Sequence, residues 1–240
     1  MLIIAMPKSA SSSLARTLAR ANGLDERNDE INADSPPQFI NQHQLAQELH
    51  PFPHVEVDEL RAIITDRATL RKLHLFPTND VLKALEAGPA VVLLRDPTEV
   101  IDAEFRAVVN GIHPLAPSMP RTASIERWRR AAREGGLLSS LTALHESWID
   151  AADRMEGLLL VSYDDLMSHP METLAACAAH LGLSESGNSL LRERWSGIGG
   201  SSPTSRDRVG VLRSSMYVIG ALARRVARAV VRRVAPGPTP

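Results

Sequence analysis

The chain has 240 residues, 44% hydrophobic and 23% charged, with a net charge of −1. That is enough apolar material for one sizeable core, and it excludes a disordered or fibrous polypeptide. A single cysteine, Cys177, excludes an internal disulfide, and no stretch approaches the ~20 apolar residues of a membrane span.

In chain order, Leu2-Ile3-Ile4-Ala5-Met6 predicts a fully buried strand. The run is too short for a secretion signal and lacks a basic flank, so the expected location is the cytoplasm, with the first strand opening the protein. A polar turn follows, then a helix over Ser11–Ala21 that Gly23 stops. Residues 24–58 are polar and interrupted by prolines, and their pattern orders no element. Leu70–Leu75 predicts a second strand, and Thr78 or Asn79 caps a short helix ending at Gly88. Ala90–Leu94 is the clearest strand. Directly after it, Asp96-Pro97-Thr98-Glu99 supplies an N-cap, a proline at the first helical position and a capping-box glutamate.

Helices are predicted over Ala123–Arg133 and Leu137–Met155, parted by Gly135-Gly136, followed by a buried strand over Leu158–Tyr163. Pro170 opens another helix, whose inward face is Leu174, Cys177, Ala178 and Leu181, and Gly182 closes it. On that face Cys177 reads as a buried structural thiol. Strands that are apolar throughout suit a parallel sheet covered on both faces. The predicted fold class is α/β, a three-layer αβα domain with a central, mainly parallel sheet.

The candidate chemistry begins where the first strand ends. Pro7-Lys8-Ser9-Ala10-Ser11-Ser12-Ser13 leads into a helix, so small residues allow a tight turn while the helix N-terminus aims unpaired N–H groups at an anion. A phosphate is the natural ligand. The loop lacks the Gly-Lys-Ser/Thr ending of a nucleoside-triphosphate P-loop, and a serine-rich helix cap with an incidental lysine would read the same way. Lys8, Lys72 and Lys83 are the only lysines in a chain rich in arginine, which points to sites needing a compact point charge.

Taken together, these segments resemble the sulfotransferase superfamily. Met6-Pro7-Lys8-Ser9-Ala10-Ser11-Ser12-Ser13-Leu14 is similar to its 5′-phosphosulfate loop, and Lys72-Leu73-His74-Leu75 to its Lys-Thr-His segment. Leu94-Arg95-Asp96-Pro97 is similar to its 3′-phosphate strand end. Tyr163-Asp164-Asp165-Leu166, with Pro170 and Leu181-Gly182, resembles its Tyr-Glu-Asp-Leu…Pro…Leu-Gly signature. These segments follow the family's order across residues 1–183. The resemblance implies a P-loop-like domain over residues 1–212 that uses 3′-phosphoadenosine-5′-phosphosulfate as donor, releases 3′-phosphoadenosine-5′-phosphate and needs no metal. It implies His74 as base, with Lys8 and Lys72 as cations at the transferred group. Pro7, Lys8, Ser9, Ala10, Ser11, Ser12, Ser13, Arg95, Tyr163, Arg206 and Arg208 would contact the donor. Tyr163 would either pack under the nucleotide or touch it.

The sequence departs from the family at three places. Ala10 replaces a glycine, which is tolerable if its φ is negative. Ala103 stands where the family carries a serine that helps hold the 3′-phosphate. The basic glycine-rich loop is echoed only by Gly199-Gly200…Arg206-Asp207-Arg208. A P-loop kinase, or a non-catalytic nucleotide-binding module recruited to a membrane, therefore stays open.

The expected acceptor is a hydroxyl on a small molecule, a sugar or a lipid-linked group, since aromatic residues make up only 4% of the chain. Nucleic acid is not expected. Glu126 and Glu134 flank the arginines at 127–133, which read as a solvated helix face or a lining of the acceptor cleft, and the body is acidic. After Asp207 come seven arginines and no acid; set against a net charge of −1, they leave about −8 on residues 1–207. Residues 213–240 read as a basic amphipathic helix with a proline-rich end. Arg224, Arg225, Arg228 and Arg232 lie on one side, and Val218, Ile219, Leu222, Val226 and Val230 on the other. Two readings remain: residues 213–235 lie on an anionic membrane, making the protein peripheral, or they dock on the acidic body.

Overall fold

The computed structural model describes residues 1–28, 56–111 and 119–183. Five parallel strands form one sheet in the order β2-β3-β1-β4-β5. They are β1 (Leu2–Ala5), β2 (Asp25–Asn28), β3 (Thr69–Leu73), β4 (Ala90–Leu94) and β5 (Leu158–Ser162). The helices among the described residues are α1 (Ser11–Ala21), α2 (Val57–Thr65), α3 (Asn79–Leu85), α4 (Pro97–Val109), α5 (Ile125–Glu134), α6 (Leu137–Ala152), α7 (Tyr163–Ser168) and α8 (Pro170–His180).

Successive side chains of a strand point to opposite faces, so the apolar runs of β1 and β4 serve two cores at once. Ile3, Ala5, Val91 and Leu93 pack with Leu14 and Leu18 of α1 and with Leu174 and Cys177 of α8. Leu2, Ile4, Val92 and Leu94 pack with residues of α2 to α6, including Ile64, Val81, Ile101, Trp128 and Trp148. This is the expected three-layer αβα arrangement. Cys177 is fully buried among apolar side chains, and desolvation pushes its thiol up to about 12.

Local signals place the helix ends. Asp96 caps α4 by accepting from the Thr98 and Glu99 N–H groups, and Thr78 caps α3 through Val81 N–H. Gly23, at φ 64°, ends α1 in a left-handed turn that lets Leu24 N–H reach Ala19 O at 2.9 Å.

Four expectations are revised. The strand expected to be second is third in sequence, because Asp25–Asn28, which has no apolar run, forms an edge strand pairing in parallel with β3. Helix α2 had no predicted counterpart. The last strand is only partly buried: β5 is the other edge, and Leu160 is 39% exposed. It ends at Ser162 because that hydroxyl caps α7, which takes Tyr163 into its first turn.

Candidate active site

Because every strand runs the same way, their carboxyl ends share one edge of the sheet. The four motif segments sit on neighbouring strands there. Beside β1, which leads into the Pro7–Ala10 turn, β3 leads into His74 and β4 into Arg95; beyond β4, β5 leads into Tyr163. The strand order reverses direction at β1, and ligands in open α/β sheets bind outside such a crevice.

The turn is strained. Among the described residues, those other than glycine with positive φ are Lys8, at 60°, and Ala10, at 63°. The negative φ that would make alanine easily tolerable at position 10 is therefore not what the chain adopts; Ala10 occupies a left-handed conformation that glycine would adopt more easily. Such residues cost roughly 1–3 kcal/mol each and persist where surrounding contacts hold them. Here Ser9, fully buried, donates its hydroxyl to Met6 O at 2.7 Å, so it braces the turn instead of facing outward. Ala10 provides no side-chain cap to α1, and Ser13 N–H turns back to Ala10 O at 3.0 Å. The N–H groups of Ser11 and Ser12, in the first helical turn, have no intrahelical acceptor.

Three cations approach this helix start. Lys72 faces α1, because its register partner Ile3 does, and its Nζ lies 3.5 Å from Ser12 Oγ, a long contact. Lys8 Nζ is 3.2 Å from Glu104 Oε2. Arg95 Nη1 donates to Lys8 O at 2.7 Å, its Nε donates to Glu99 Oε2 at 3.1 Å, and its guanidinium carbon lies 3.8 Å over the Tyr163 ring. Among the described residues, then, two of the five guanidinium donors are engaged.

His74 is oriented by a backbone oxygen. Its Nδ1 lies 2.6 Å from Ala5 O. A carbonyl can only accept, so Nδ1 carries the proton and Nε2 of the neutral ring keeps its lone pair. Burial, then the charge of Lys72 and, more weakly, that of Lys8, pulls the imidazole down to about 4. At neutral pH the ring is an uncharged acceptor, held by the same strand that leads into the Pro7–Ala10 turn.

Helix α4 lines this site with acids. Glu99 holds Arg95, Glu104 holds Lys8, and Asp102 takes Arg129 of α5 through two bonds, of 2.8 and 2.5 Å. The Arg129 hydrogen bond keeps the Asp102 carboxyl below its ordinary range. Ala103 lies between Asp102 and Glu104, and the anchoring role of these acids was not legible in the sequence. Glu99 was expected to close a capping box; its carboxylate pairs with Arg95 instead. Only their i, i+4 spacing hinted at this. Asp96, next to Arg95 in the chain, caps α4, and Asp165 accepts the Ser162 hydroxyl at 2.7 Å.

Lys8, Lys72, His74, Arg95 and Tyr163 thus converge with the Pro7–Ser13 loop, in which Pro7 and Ser9 are buried. Arg206, Arg208 and the basic segment 213–235 lie outside the described residues. Arg127 and Arg130 are exposed and line, with Arg121, Thr122 and Glu134, a surface cavity of about 330 Å³. Arg127 lies on the opposite side of α5 from Arg129, which faces α4 through Asp102, and Arg130 lies about 100° round the helix from it.

No protein-family model matches the sequence, and no curated protein matches it. The fold does have solved counterparts. The crystal structure of mouse sulfotransferase SULT7A1 complexed with PAP superposes with a TM-score of 0.55 at 14% identity, over 85% of this chain and 66% of that one. A sulfotransferase from Alicyclobacillus acidocaldarius superposes with a TM-score of 0.46 at 15% identity, over 82% and 90%. The chain thus spans about two-thirds of the mouse protein and shares its fold.

Proposed function

We propose that this chain is a sulfotransferase, moving the sulfuryl group of 3′-phosphoadenosine-5′-phosphosulfate to an acceptor hydroxyl on a carbohydrate or lipid-linked group. The observation that carries the reading is the convergence, on the uncapped start of α1, of Lys8, Lys72 and Arg95 with a neutral His74 whose Nε2 is the free acceptor. The fold shared with a sulfotransferase bound to PAP supports it.

The donor's chemistry matches these groups. Its 5′-phosphosulfate is an anion suited to the N–H groups of Ser11 and Ser12 and to the two lysines. Arg95 would hold the 3′-phosphate with its remaining donors, while the Tyr163 ring supports the guanidinium from below. In the reaction His74 Nε2 takes the proton of the acceptor hydroxyl as its oxygen bonds to sulfur. The sulfur–oxygen bond to phosphate breaks, and Lys8, Lys72 and the α1 N-terminus stabilise the charge left on the departing phosphate.

The test has two arms. 3′-Phosphoadenosine-5′-phosphate should raise the melting temperature, and Lys8→Ala should reduce that shift. Labelled sulfate should pass from the donor to carbohydrate or lipid-linked acceptors in a panel that also includes phenols. A melting shift with ATP and none with the bisphosphate would overturn the reading in favour of a kinase.

A further inference from the structure

We infer that Glu104 is a positioning residue that competes with the donor's phosphosulfate for Lys8, and so sets both the anion affinity and the charge selectivity of the loop. The geometry comes first. Lys8 Nζ and Glu104 Oε2 are 3.2 Å apart, and the two side chains are only 13% and 22% exposed. A pair this sheltered is screened less by salt and water than a surface pair.

Lys8 is held at both ends. Arg95 fixes its carbonyl at 2.7 Å, which sustains the positive φ of 60°, while Glu104 fixes its ammonium. The backbone clamp leaves the side chain as the part of Lys8 that can change partners. Glu104 lies on α4, whose first turn is tied to the site through Asp96 and the Glu99–Arg95 pair, so its carboxylate is presented from a rigid element.

The consequence is competitive. An anion reaching the start of α1 gains Lys8 only by displacing a carboxylate already paired with it, and its charge also meets that carboxylate's field. A weakly charged anion gains little by the exchange. A ligand with several negative charges, engaging the α1 N–H groups, Lys72 and Arg95 together, can win it. Glu104 thereby discriminates against simple anions and returns Lys8 to a neutral pair when the multiply charged ligand leaves. The identity of that ligand rests on the reading above; the competition for Lys8 does not.

Calorimetric titration of the full chain with 3′-phosphoadenosine-5′-phosphate and, separately, with inorganic pyrophosphate tests this, using wild type, Glu104→Gln, Lys8→Met and the double variant. Glu104→Gln keeps the side-chain shape and removes the competing charge. It should tighten both ligands about tenfold, the range of one charged hydrogen bond. The gain should shrink to about threefold or less when Lys8 is already methionine. In turnover, Glu104→Gln should lower the donor KM more than it changes kcat. Glu104→Asp, with a retracted carboxylate, should shift affinity in the same direction and covers the case in which the glutamine variant does not fold. Unchanged or weaker binding in a folded Glu104 variant would overturn the inference, as would an equal gain without Lys8. Tighter pyrophosphate binding in a protein that ignores the bisphosphate would keep the inference and remove the sulfotransferase reading. The reverse pattern, normal bisphosphate binding unaffected by Glu104→Gln, would do the opposite.

Discussion

Arg95 Nη1 donates to the backbone oxygen of Lys8 at 2.7 Å, so the guanidinium at the end of β4 holds the strained residue of the loop that follows β1. The strand neighbours are coupled through this one bond. A residue expected to grip a phosphate also shapes the loop that would bind another.

Arg95→Lys separates the two roles. Lysine keeps the charge but not the fork that spans Lys8 O and Glu99, nor the flat face against Tyr163. Without ligand, the variant should lose about 1–3 kcal/mol of stability in urea unfolding. Its affinity for 3′-phosphoadenosine-5′-phosphate should fall at least tenfold. Wild-type stability would show that the Lys8 clamp contributes nothing.

His74 gives the pH dependence a definite sign. Its folded-state value is lowered from 6.5 to about 4, so the folded protein binds fewer protons than the unfolded chain between these limits. Stability from this group is fully present above pH 6.5 and is lost as pH falls towards 4. The loss is up to about 3 kcal/mol, an upper bound for a ring only partly shielded from water. His74→Asn retains a donor for Ala5 O without titrating. The difference in melting temperature between wild type and variant should therefore change across pH 6.5–4 and stay flat above it. Turnover of the variant should drop by about 10²–10⁴.

Ala10→Gly tests the loop strain. Alanine at φ 63° costs about 1–2 kcal/mol relative to a right-handed conformation, whereas glycine adds about 0.4–1 kcal/mol of unfolded-state entropy. The substitution should be neutral or stabilising in thermal melts, and Ala10→Val should be clearly destabilising. A loss above about 1 kcal/mol on introducing glycine would be incompatible with the left-handed turn.

Trp148 supports the site from beneath. Its buried Nε1 donates to Leu75 O at 2.9 Å, one residue beyond His74. Trp148→Phe leaves that carbonyl without its indole donor and should cost about 1–3 kcal/mol in urea unfolding. Turnover should fall as well, because the segment carrying His74 loses an anchor; full activity would separate that anchor from catalysis.

Cys177, whose thiol is pushed up to about 12 by burial, should not react with a thiol reagent at pH 8 while the protein is folded. It should react fully in denaturant. Rapid labelling of the native protein would show that the helix face over β1 and β4 opens readily.

The sequence by itself determined the parts whose causes are local. Apolar runs placed β1 and β4 at the sheet centre, Asp96-Pro97 started α4, and Gly23 and Gly182 ended their helices, because burial pattern, capping and left-handed turns depend on a few neighbouring residues. The motif residues were also legible, as was their order. Tertiary structure alone decided how they act. Asp25–Asn28 became a strand because β3 offered it backbone partners, not because Asp, Glu, Arg and Asn favour one. Ala10 accepted a positive φ because Ser9 and Arg95 brace the turn around it. The His74 tautomer was set by a carbonyl 69 residues earlier, and Glu104 became the partner of Lys8 across 96 residues of chain. Such pairings arise only when parallel strands bring distant segments to one edge, and no local spacing in the sequence encodes that proximity.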